Sequence, residues 1–400
     1  MKKLLTLCLL ACIAAGANAQ GNKETAKETK AVFTTVKANP ITSIKDQNRS
    51  GTCWAYSTLS FLESEILKAT GKTYNLCEMF IANKDYMDRA IVTVRMHGDS
   101  QFSQGGSFSD VVTIMKKHGI CPEEAMPAPG TLTGDSLAVF DEFFGVMEPY
   151  VYSIARSKAK KISQQWRKGL QGILDAYLGE CPEKFTYEGK EYTPKSFAES
   201  LGINLDDYVS ITSFSHHPFY KPFAIEVQDN WRWAPSYNLP MDEMMRIIDN
   251  AINEGYTIAW GGDVTEDGFT RTGLGMAYDV KKARSMAGTD ADKWFKLSAT
   301  EKRGKLDSLG VDAPEIVPTQ EMRQEAFDNW ETTDDHGMHL YGIAKDKNGN
   351  QFYMVKNSWG EYGDYKGTWY MSKNYVAYKT MNFMVNKNAI PKDIRKKLGI

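Results

Sequence analysis

Cys53 stands where a cysteine can act as a nucleophile. It lies in the stretch Gln47-Asn-Arg-Ser-Gly-Thr-Cys53-Trp54, directly before a predicted helix. A thiol attacks a carbonyl as its thiolate, and the first turn of a helix favours negative charge because its backbone N–H groups are unpaired. The backbone N–H of Cys53 and the side-chain amide of Gln47 are predicted donors to the developing oxyanion. The alternative is a buried structural cysteine, and a partner histidine is needed to decide between the two.

A general base for this thiol must come from the six histidines of the chain. His336 opens the predicted strand His336-Gly-Met-His-Leu-Tyr-Gly-Ile, and Asn357 follows the next predicted strand. Antiparallel neighbours bring the start of one strand beside the end of the other, so Asn357 is placed to hydrogen-bond the imidazole and fix its tautomer. Side chains alternate along a strand, so His336 and His339 must face opposite sides. Periodicity alone does not choose between them.

The element that must position Cys53 is a helix between Gly51 and Gly71. Thr52 is its predicted N-cap, which places Cys53 in the first turn, and Gly71 is its predicted C-terminal cap. Charged residues fall off its apolar face. That face has spacings of four, three and four residues and consists of Ala55, Leu59, Leu62 and Ile66.

The remaining patterns divide the chain into a helical first part and a β-rich last part. A helical part followed by a β-rich part predicts an α+β fold with two lobes. Further helices are predicted over about Phe108–His118, Leu137–Tyr177 and Met241–Glu254. Strands are predicted over about Tyr256–Trp260, Gly337–Ala344, Gln351–Lys356 and Trp369–Met371, with a hairpin turn at Asn348-Gly349.

The first nineteen residues are predicted to be a signal peptide. Lys2-Lys3 is a basic n-region, and Leu4–Ile13 is an apolar h-region that is too short to span a bilayer. Ala17-Asn18-Ala19 offers the small residues that a signal peptidase recognises, so we expect export and a mature chain that starts at Gln20. Lipidation at Cys12 is the alternative. No later run is apolar enough to predict a transmembrane helix.

Composition excludes several classes of function. The formal net charge of −2 gives no reason to expect a nucleic-acid or membrane-surface partner. Removal of the signal leaves four cysteines, too few for a disulfide scaffold in a chain of this length. If Cys53 is a reactive thiol, at most one bridge can form among Cys77, Cys121 and Cys181.

Metal ligation is not expected, and neither is a cofactor. His118-Gly-Ile-Cys121 has two potential ligands but no second pair accompanies them in the sequence. His216-His217-Pro218 is typical of a loop and is not expected to be a ligand set.

Three blocks together resemble the catalytic blocks of papain-like cysteine peptidases, in the order Gln, Cys, His, Asn. The blocks are Gln47 with Ser50-Gly51-x-Cys53-Trp54-Ala-Tyr56-Ser57, then Asp335-His336-Gly337-Met338, then Lys356-Asn357-Ser358-Trp359-Gly360. Further segments resemble the bleomycin hydrolase and aminopeptidase C branch, so that the resemblance runs from about Ile44 to about Lys373. They are Gly105-Gly106, Lys117-His118-Gly119-Ile120-Cys121-Pro122, Thr193-Pro194 with Phe197, His217-Pro218 with Lys221, and Ala259-Trp260-Gly261-Gly262-Asp263-Val264.

The resemblance implies a papain-like two-lobe fold with large helical insertions, and it implies a role for each matching residue. Cys53 would be the nucleophile, Gln47 an oxyanion donor, His336 the base and then the acid, and Asn357 the residue that orients it. The Asp-His-Gly context favours His336 over His339 as the base. Thiolate and imidazolium would form an ion pair before substrate arrives.

The resemblance also implies how a peptide substrate would be bound. Trp359 would shield the Asn–His hydrogen bond, and Gly105 and Gly106 would line the substrate cleft, where a peptide backbone can approach closely. Members of the branch are hexameric, so a homo-oligomer is implied. The expected division of the chain is a signal at 1–19, an arm and helical lobe at 20–125, a mostly helical insertion at 126–235 and a β-rich lobe at 236–400.

Two departures from the branch leave the specificity open. The branch usually lacks an export signal, and its C-terminal arm carries a tail motif that limits cutting to N-terminal residues. This sequence has Arg395-Lys-Lys-Leu-Gly-Ile400 instead. The expected activity is that of an exported aminopeptidase. The alternatives are an endopeptidase of the same mechanism and a catalytically silent peptide-binding protein.

Overall fold

The helix predicted to carry Cys53 begins at that residue and runs to Thr70. The residues of its apolar face are fully buried. Gly71 ends the helix in the left-handed conformation, with φ of 72°, and its N–H donates to Leu67 O at 2.8 Å. Thr52 occupies the N-cap position, but its side chain does not cap the helix because its hydroxyl pairs with the Ser50 hydroxyl at 2.6 Å.

The computed structural model describes residues 30–126, 137–286 and 296–400. The proposed signal peptide and Cys12 lie outside these residues. Among them no helix is both long and apolar enough to cross a membrane. The helices are α1 Cys53–Thr70, α2 Glu78–Arg95, α3 Phe108–His118, α4 Asp141–Ala155, α5 Gln165–Leu178, α6 Pro194–Ser200, α7 Met241–Asn253, α8 Val280–Met286, α9 Ala299–Leu309, α10 Gln320–Asp328, α11 Lys373–Lys379 and α12 Lys392–Leu398.

The strands agree closely with the predicted ones in the last third of the chain. They are β1 Thr34–Ala38, β2 Phe185–Tyr187, β3 Lys190–Tyr192, β4 Tyr208–Thr212, β5 Pro222–Ala224, β6 Pro235–Asn238, β7 Ile258–Gly262, β8 Leu274–Gly275, β9 His336–Lys345, β10 Gln351–Lys356, β11 Thr368–Ser372 and β12 Thr380–Asn386.

The β-rich part is built on one mixed sheet of ten strands. Its order is β5-β6-β4-β12-β7-β9-β10-β11-β8, and β1 pairs with the far end of β9. β9 and β10 are antiparallel neighbours, with Lys356 paired to His339. Asn357 therefore lies one residue further toward the start of β9, which is where His336 stands.

The residues 126–235 are not helical throughout. They contain α4, α5 and α6, but they also contain the β2–β3 hairpin. Strands β4, β5 and β6 join the main sheet through the pairing of β4 with β12.

Two large apolar cores lie in the compact unit that starts at Ala31. The first is built mainly from α1 to α6, and its largest buried side chains include Trp54 and Phe80. The second lies under the sheet with α7, α11 and α12, and includes Trp260 and Trp369. α1 packs directly on β9 and β7 between these cores. The α+β fold class is confirmed.

Candidate active site

The start of α1 and the start of β9 meet in one open pocket. Cys53 and His336 both line it. The backbone N–H groups of Gly337 and Trp54 point at the Cys53 thiol, so the sulfur lies beside the residue that follows His336. The two elements approach this closely because residue 337 is glycine. A Cβ there would lie 2.7 Å from Ser57 Oγ on α1.

Asn357 holds the imidazole of His336 in one tautomer. His336 Nε2 and Asn357 Oδ1 are 2.8 Å apart, and the Ser358 N–H donates to the same oxygen at 2.8 Å. The second donor identifies this atom as the oxygen, so His336 Nε2 must carry a proton and donate it. Nδ1 is then the atom left to accept a proton from a thiol. Trp359 stacks on the imidazole, with ring centroids 4.9 Å apart, and thereby covers the Asn–His hydrogen bond.

Desolvation disfavours charge on both members of this pair. It raises the pKa of Cys53, although the Gly337 N–H opposes the shift; the negative charges of Asp229 and Asp334 add to it. Burial also lowers the pKa of His336, against the hydrogen bond to Asn357. The resting ion pair that the resemblance implies stays a prediction. Internal proton transfer from Sγ to Nδ1 still forms a thiolate without changing the net charge.

Gln47 lies next to the same residues but does not line the pocket. Its Nε2 donates to Ser50 O at 2.7 Å, and its Oε1 accepts from Ser358 Oγ at 2.5 Å. These bonds fix the side chain and leave one Nε2 hydrogen for another acceptor. Its role as an oxyanion donor stays a prediction.

The two glycines expected in the substrate cleft have different surroundings. Gly106 lines the pocket and packs on Trp54, where a Cβ would come within 2.9 Å of the indole. Gly105 is covered, because a Cβ there would lie 1.8 Å from Asp229 Oδ2. Asp229 also accepts from Ser103 Oγ at 3.1 Å. The Asp229 carboxylate therefore occupies the position above Gly105 where a peptide backbone was expected.

Asp229 and Asp334 are pocket residues that the motif search missed. Asp229 follows β5 in an aromatic segment, far in sequence from the catalytic blocks. Asp334 stands immediately before the Asp335-His336 pair. Two consecutive acidic residues before the histidine were the sequence signal that could have identified it as a pocket residue. Both carboxylates act on the Cys53 thiol, and no lysine or arginine is among the residues that line the pocket.

The sequence left a disulfide among Cys77, Cys121 and Cys181 open and gave His118 and Cys121 as weak metal-ligand candidates. The described cysteines are free. The Cys77 thiol donates to Met126 O at 3.3 Å. The residues His118 and Cys121 do not form part of a metal-ligand cluster within the described chain.

His339 lies on the other face of β9, as alternation predicts. Its Nδ1 is 2.8 Å from Ser60 Oγ on α1, and its side chain is 1% exposed. Lys356 Nζ donates to the same Ser60 hydroxyl. Burial, together with the charge of Lys356, lowers the pKa of His339 well below its usual value. His339 is therefore a neutral part of a buried polar cluster.

Replacement of each histidine by alanine should separate an effect on catalysis from an effect on stability. We expect His336→Ala to lower kcat by roughly 10²–10⁴-fold, because it removes the proton acceptor. His339→Ala should lower the free energy of unfolding by about 1–3 kcal/mol, because the Ser60 hydroxyl loses a buried partner, while kcat changes little. Steady-state kinetics and thermal unfolding of both variants check this. Loss of turnover in the folded His339 variant alone would show that the base is misassigned.

Comparison with known proteins agrees with this geometry. The Peptidase C1-like family matches residues 10–399. Aminopeptidase C of Lactobacillus helveticus is 23% identical over 418 aligned positions, which cover 92% of this chain and 86% of that protein. Aminopeptidase G of Lactobacillus delbrueckii subsp. lactis is 23% identical over 391 positions, covering 88% of this chain and 83% of the relative.

A solved structure has a similar fold. The crystal structure of PepW from Lactobacillus rhamnosis HN001 superposes with a TM-score of 0.67 at 19% identity and covers 92% of this chain and 84% of that one. The family match extends over nearly the whole sequence and includes the three blocks that meet around Cys53. The chain therefore belongs to the Peptidase C1-like family of cysteine peptidases, the family of bleomycin hydrolase and aminopeptidase C.

Proposed function

We propose that this cysteine peptidase is an aminopeptidase, which releases N-terminal residues from peptides. Cys53 Sγ transfers its proton to His336 Nδ1 and attacks the carbonyl carbon of the first peptide bond. His336 then gives this proton to the leaving amine, and an acyl-enzyme remains on Cys53. His336 next takes a proton from water as the water oxygen attacks the thioester; the C–S bond breaks, the carboxylic acid leaves, and His336 returns the proton to Cys53 Sγ. Gln47 and the Cys53 N–H are the proposed oxyanion donors.

The acidic wall of the pocket, formed by Asp229 and Asp334, is the observation that supports cleavage at N-termini. Asp335, which also lines the pocket, is already engaged by the Thr333 hydroxyl and the Val264 N–H. For Asp334 the described residues supply neither a hydrogen-bond donor nor a cation. A protonated α-amino group has three donors and one positive charge, so it complements this wall.

The position of Asp229 also limits how far a substrate can extend along the pocket. Its carboxylate covers Gly105 and is 3.6 Å from the buried Arg89, so it is held in place. A substrate that continued past this point would have to cover this carboxylate and remove its solvent, which costs free energy where no cation of the substrate compensates the charge. The C-terminal helix α12 is elsewhere: Asp393 pairs with Arg246, and Lys397 pairs with Glu243. The wall thus supports an exopeptidase without a contribution from the C-terminal residues.

Paired substrates test this function. The purified protein should hydrolyse aminoacyl fluorogenic amides with a free α-amino group and leave their N-acetyl counterparts nearly uncleaved. An internally quenched peptide that is blocked at its N-terminus serves as the endopeptidase control. Equal cleavage of free and blocked substrates would instead favour the endopeptidase. A failure of a thiol-directed epoxide to label Cys53 would favour the silent binding protein.

The pH dependence of substrate affinity follows from Asp334. Desolvation in the pocket raises the pKa of Asp334, and the charges of Asp229 and Asp335 add to the shift, although the residue is exposed and solvent moderates it. The side chain becomes negative as the pH rises through this raised pKa. KM for a free-amine substrate should therefore fall as the pH rises through the acidic range, where the α-amino group is still protonated. In Asp334→Asn this step in KM should disappear; a step that persists in the variant would contradict the assignment.

Export is a second part of the proposal. It is supported by the basic start Lys2-Lys3, the apolar run Leu4–Ile13 and the small residues up to Ala19. N-terminal sequencing of the protein from fractionated cells should find Gln20 as the first residue outside the cytoplasm. A lipidated Cys12 would support the alternative, and an intact residue 1–19 segment in the cytoplasmic fraction would contradict export.

A further inference from the structure

Two histidines and a glutamate converge beside the pocket wall. His216 and His217 follow β4, and Glu226 follows β5. His216 Nε2 is 3.1 Å from one carboxylate oxygen of Glu226, and His217 Nε2 is 2.9 Å from the other. The ligand-type atoms of the three side chains lie within 4.8 Å of one another. All three side chains are partly exposed, so an ion can reach them.

Gln324 on α10 determines which nitrogen of His216 carries a proton. Gln324 Oε1 accepts from the backbone N–H groups of Ser215 and His216, while its Nε2 donates to Asp328. These partners fix the amide orientation. The same oxygen is 3.2 Å from His216 Nδ1, so Nδ1 must be the donor.

The neutral form of His216 therefore directs a lone pair at a carboxylate. With Nδ1 protonated, Nε2 is an acceptor, yet its neighbour at 3.1 Å is Glu226 Oε2. Two acceptors in contact require a positive charge between or upon them: a second proton on the imidazole or a bound cation. A hydrogen bond from the second imidazole nitrogen to a side-chain oxygen is also the arrangement that orients metal-bound histidines.

The two histidine–glutamate distances are close to the ligand spacing around a tetrahedral metal ion. Zn²⁺ binds histidine nitrogen at about 2.0–2.1 Å and carboxylate oxygen at about 2.0–2.2 Å, so ligand atoms of a tetrahedral site are roughly 3.3 Å apart. The contacts of Glu226 with His216 and His217 are 3.1 and 2.9 Å. Small side-chain movements would open these contacts to the required spacing. Two imidazoles and one carboxylate also form a ligand set typical of Zn²⁺, with a fourth position left for water.

The two imidazoles are held by rigid neighbours. His217 stacks on Phe223 with ring centroids 4.3 Å apart, and Phe327 lies 5.7 Å from His216. Asn238 Nδ2 donates to the backbone carbonyl of His217 at 2.9 Å. Little ordering would be needed on binding, because the ligands are already oriented.

We propose that His216, His217 and Glu226 bind one divalent transition-metal ion, with Zn²⁺ as the best match. Glu226 stands between Ile225 and Val227, which both line the catalytic pocket. The ion would therefore link two segments: the one that leads to Asp229 and the loop that follows β4. Its role is structural support of the pocket wall, and the ion takes no part in the peptidase reaction.

Calorimetric titration of metal-depleted, untagged protein with Zn²⁺ tests the site. Cys53→Ala is used as the parent, so that the active-site thiol cannot bind the ion. We expect one Zn²⁺ per chain and a higher melting temperature when Zn²⁺ is present. Addition of His216→Ala and His217→Ala should abolish this binding, and Glu226→Gln should weaken it. His118→Ala, a partly exposed histidine elsewhere, is the matched control and should bind like the parent.

A variant that keeps all three ligands shows whether lost Zn²⁺ binding in the other variants is due merely to unfolding. Gln324→Ala should lower the affinity by about 10–100-fold, because it removes only the residue that orients His216. Co²⁺ should give the visible absorption of a tetrahedral site in the parent and in His118→Ala alone. If Zn²⁺ neither binds nor raises the melting temperature of the parent, the cluster is an imidazolium–carboxylate pair and the proposal is wrong. It is equally wrong if one ion still binds to the folded double-histidine variant.

Discussion

Cys53→Ala should abolish turnover of every peptide substrate while the fold stays intact. Removal of a nucleophile that acts together with its base typically costs on the order of 10⁴–10⁶-fold in kcat. The thiol faces the pocket and lies outside both apolar cores, so its loss leaves no large cavity in a core. Hydrolysis of an aminoacyl fluorogenic amide measures the first effect, and thermal unfolding measures the second.

Cys181→Ala is the matched control for this prediction. Cys181 is also a partly exposed free thiol, but it is not among the residues that line the pocket. The control should keep the rate of the unmodified enzyme and its labelling by a thiol-directed epoxide. Full activity in the folded Cys53 variant would refute the nucleophile assignment.

Asp229→Asn and Asp334→Asn should each lower kcat/KM for substrates with a free α-amino group by roughly 10- to 150-fold. This range corresponds to the loss of one hydrogen bond that involves a charged group, about 1.5–3 kcal/mol. Asparagine keeps the shape and can still accept from the Ser103 hydroxyl, but it removes the counter-charge of the buried Arg89, so thermal unfolding of the Asp229 variant is measured alongside its kinetics. The slow cleavage of N-acetyl substrates should stay the same or increase.

The ratio of the two substrate classes is the decisive measurement. Asp267→Asn removes an exposed carboxylate that pairs with Arg303 outside the pocket, and this control should leave the ratio unchanged. An equal loss with free and blocked substrates in the wall variants would mean that these residues only support the pocket. The preference for N-termini would then need another explanation.

Local patterns in the sequence predicted the elements that bring the catalytic residues together. The apolar stripe and Gly71 defined α1, and the Asn348-Gly349 turn defined the β9–β10 hairpin. Once the hairpin is known, the proximity of His336 and Asn357 follows from antiparallel pairing, and the structure has this hydrogen bond. These features depend on contacts between near neighbours or within one hairpin, so they can be predicted from the periodicity of the sequence.

Features that depend on distant segments were not predictable in the same way. Asp229 reaches Gly105 only because the connection after β5 folds across the pocket, and no sequence period reports that approach. The joining of β4 to β12 is likewise a pairing between distant segments. The raised pKa of Cys53 arises from desolvation and two acidic neighbours, which only the assembled pocket supplies.

The Asp229 side of the acidic wall and the reacting pair come from separate parts of the chain. Cys53 and His336 are fixed by α1 and β9, while Asp229 belongs to the connection that precedes β6. Changes in that connection can alter which end of a peptide is accepted without moving the sulfur or the imidazole. Natural divergence and laboratory engineering can therefore change selectivity through a single connecting segment, and a library confined to residues 225–234 is the place to search for variants with a changed ratio of N-terminal to internal cleavage.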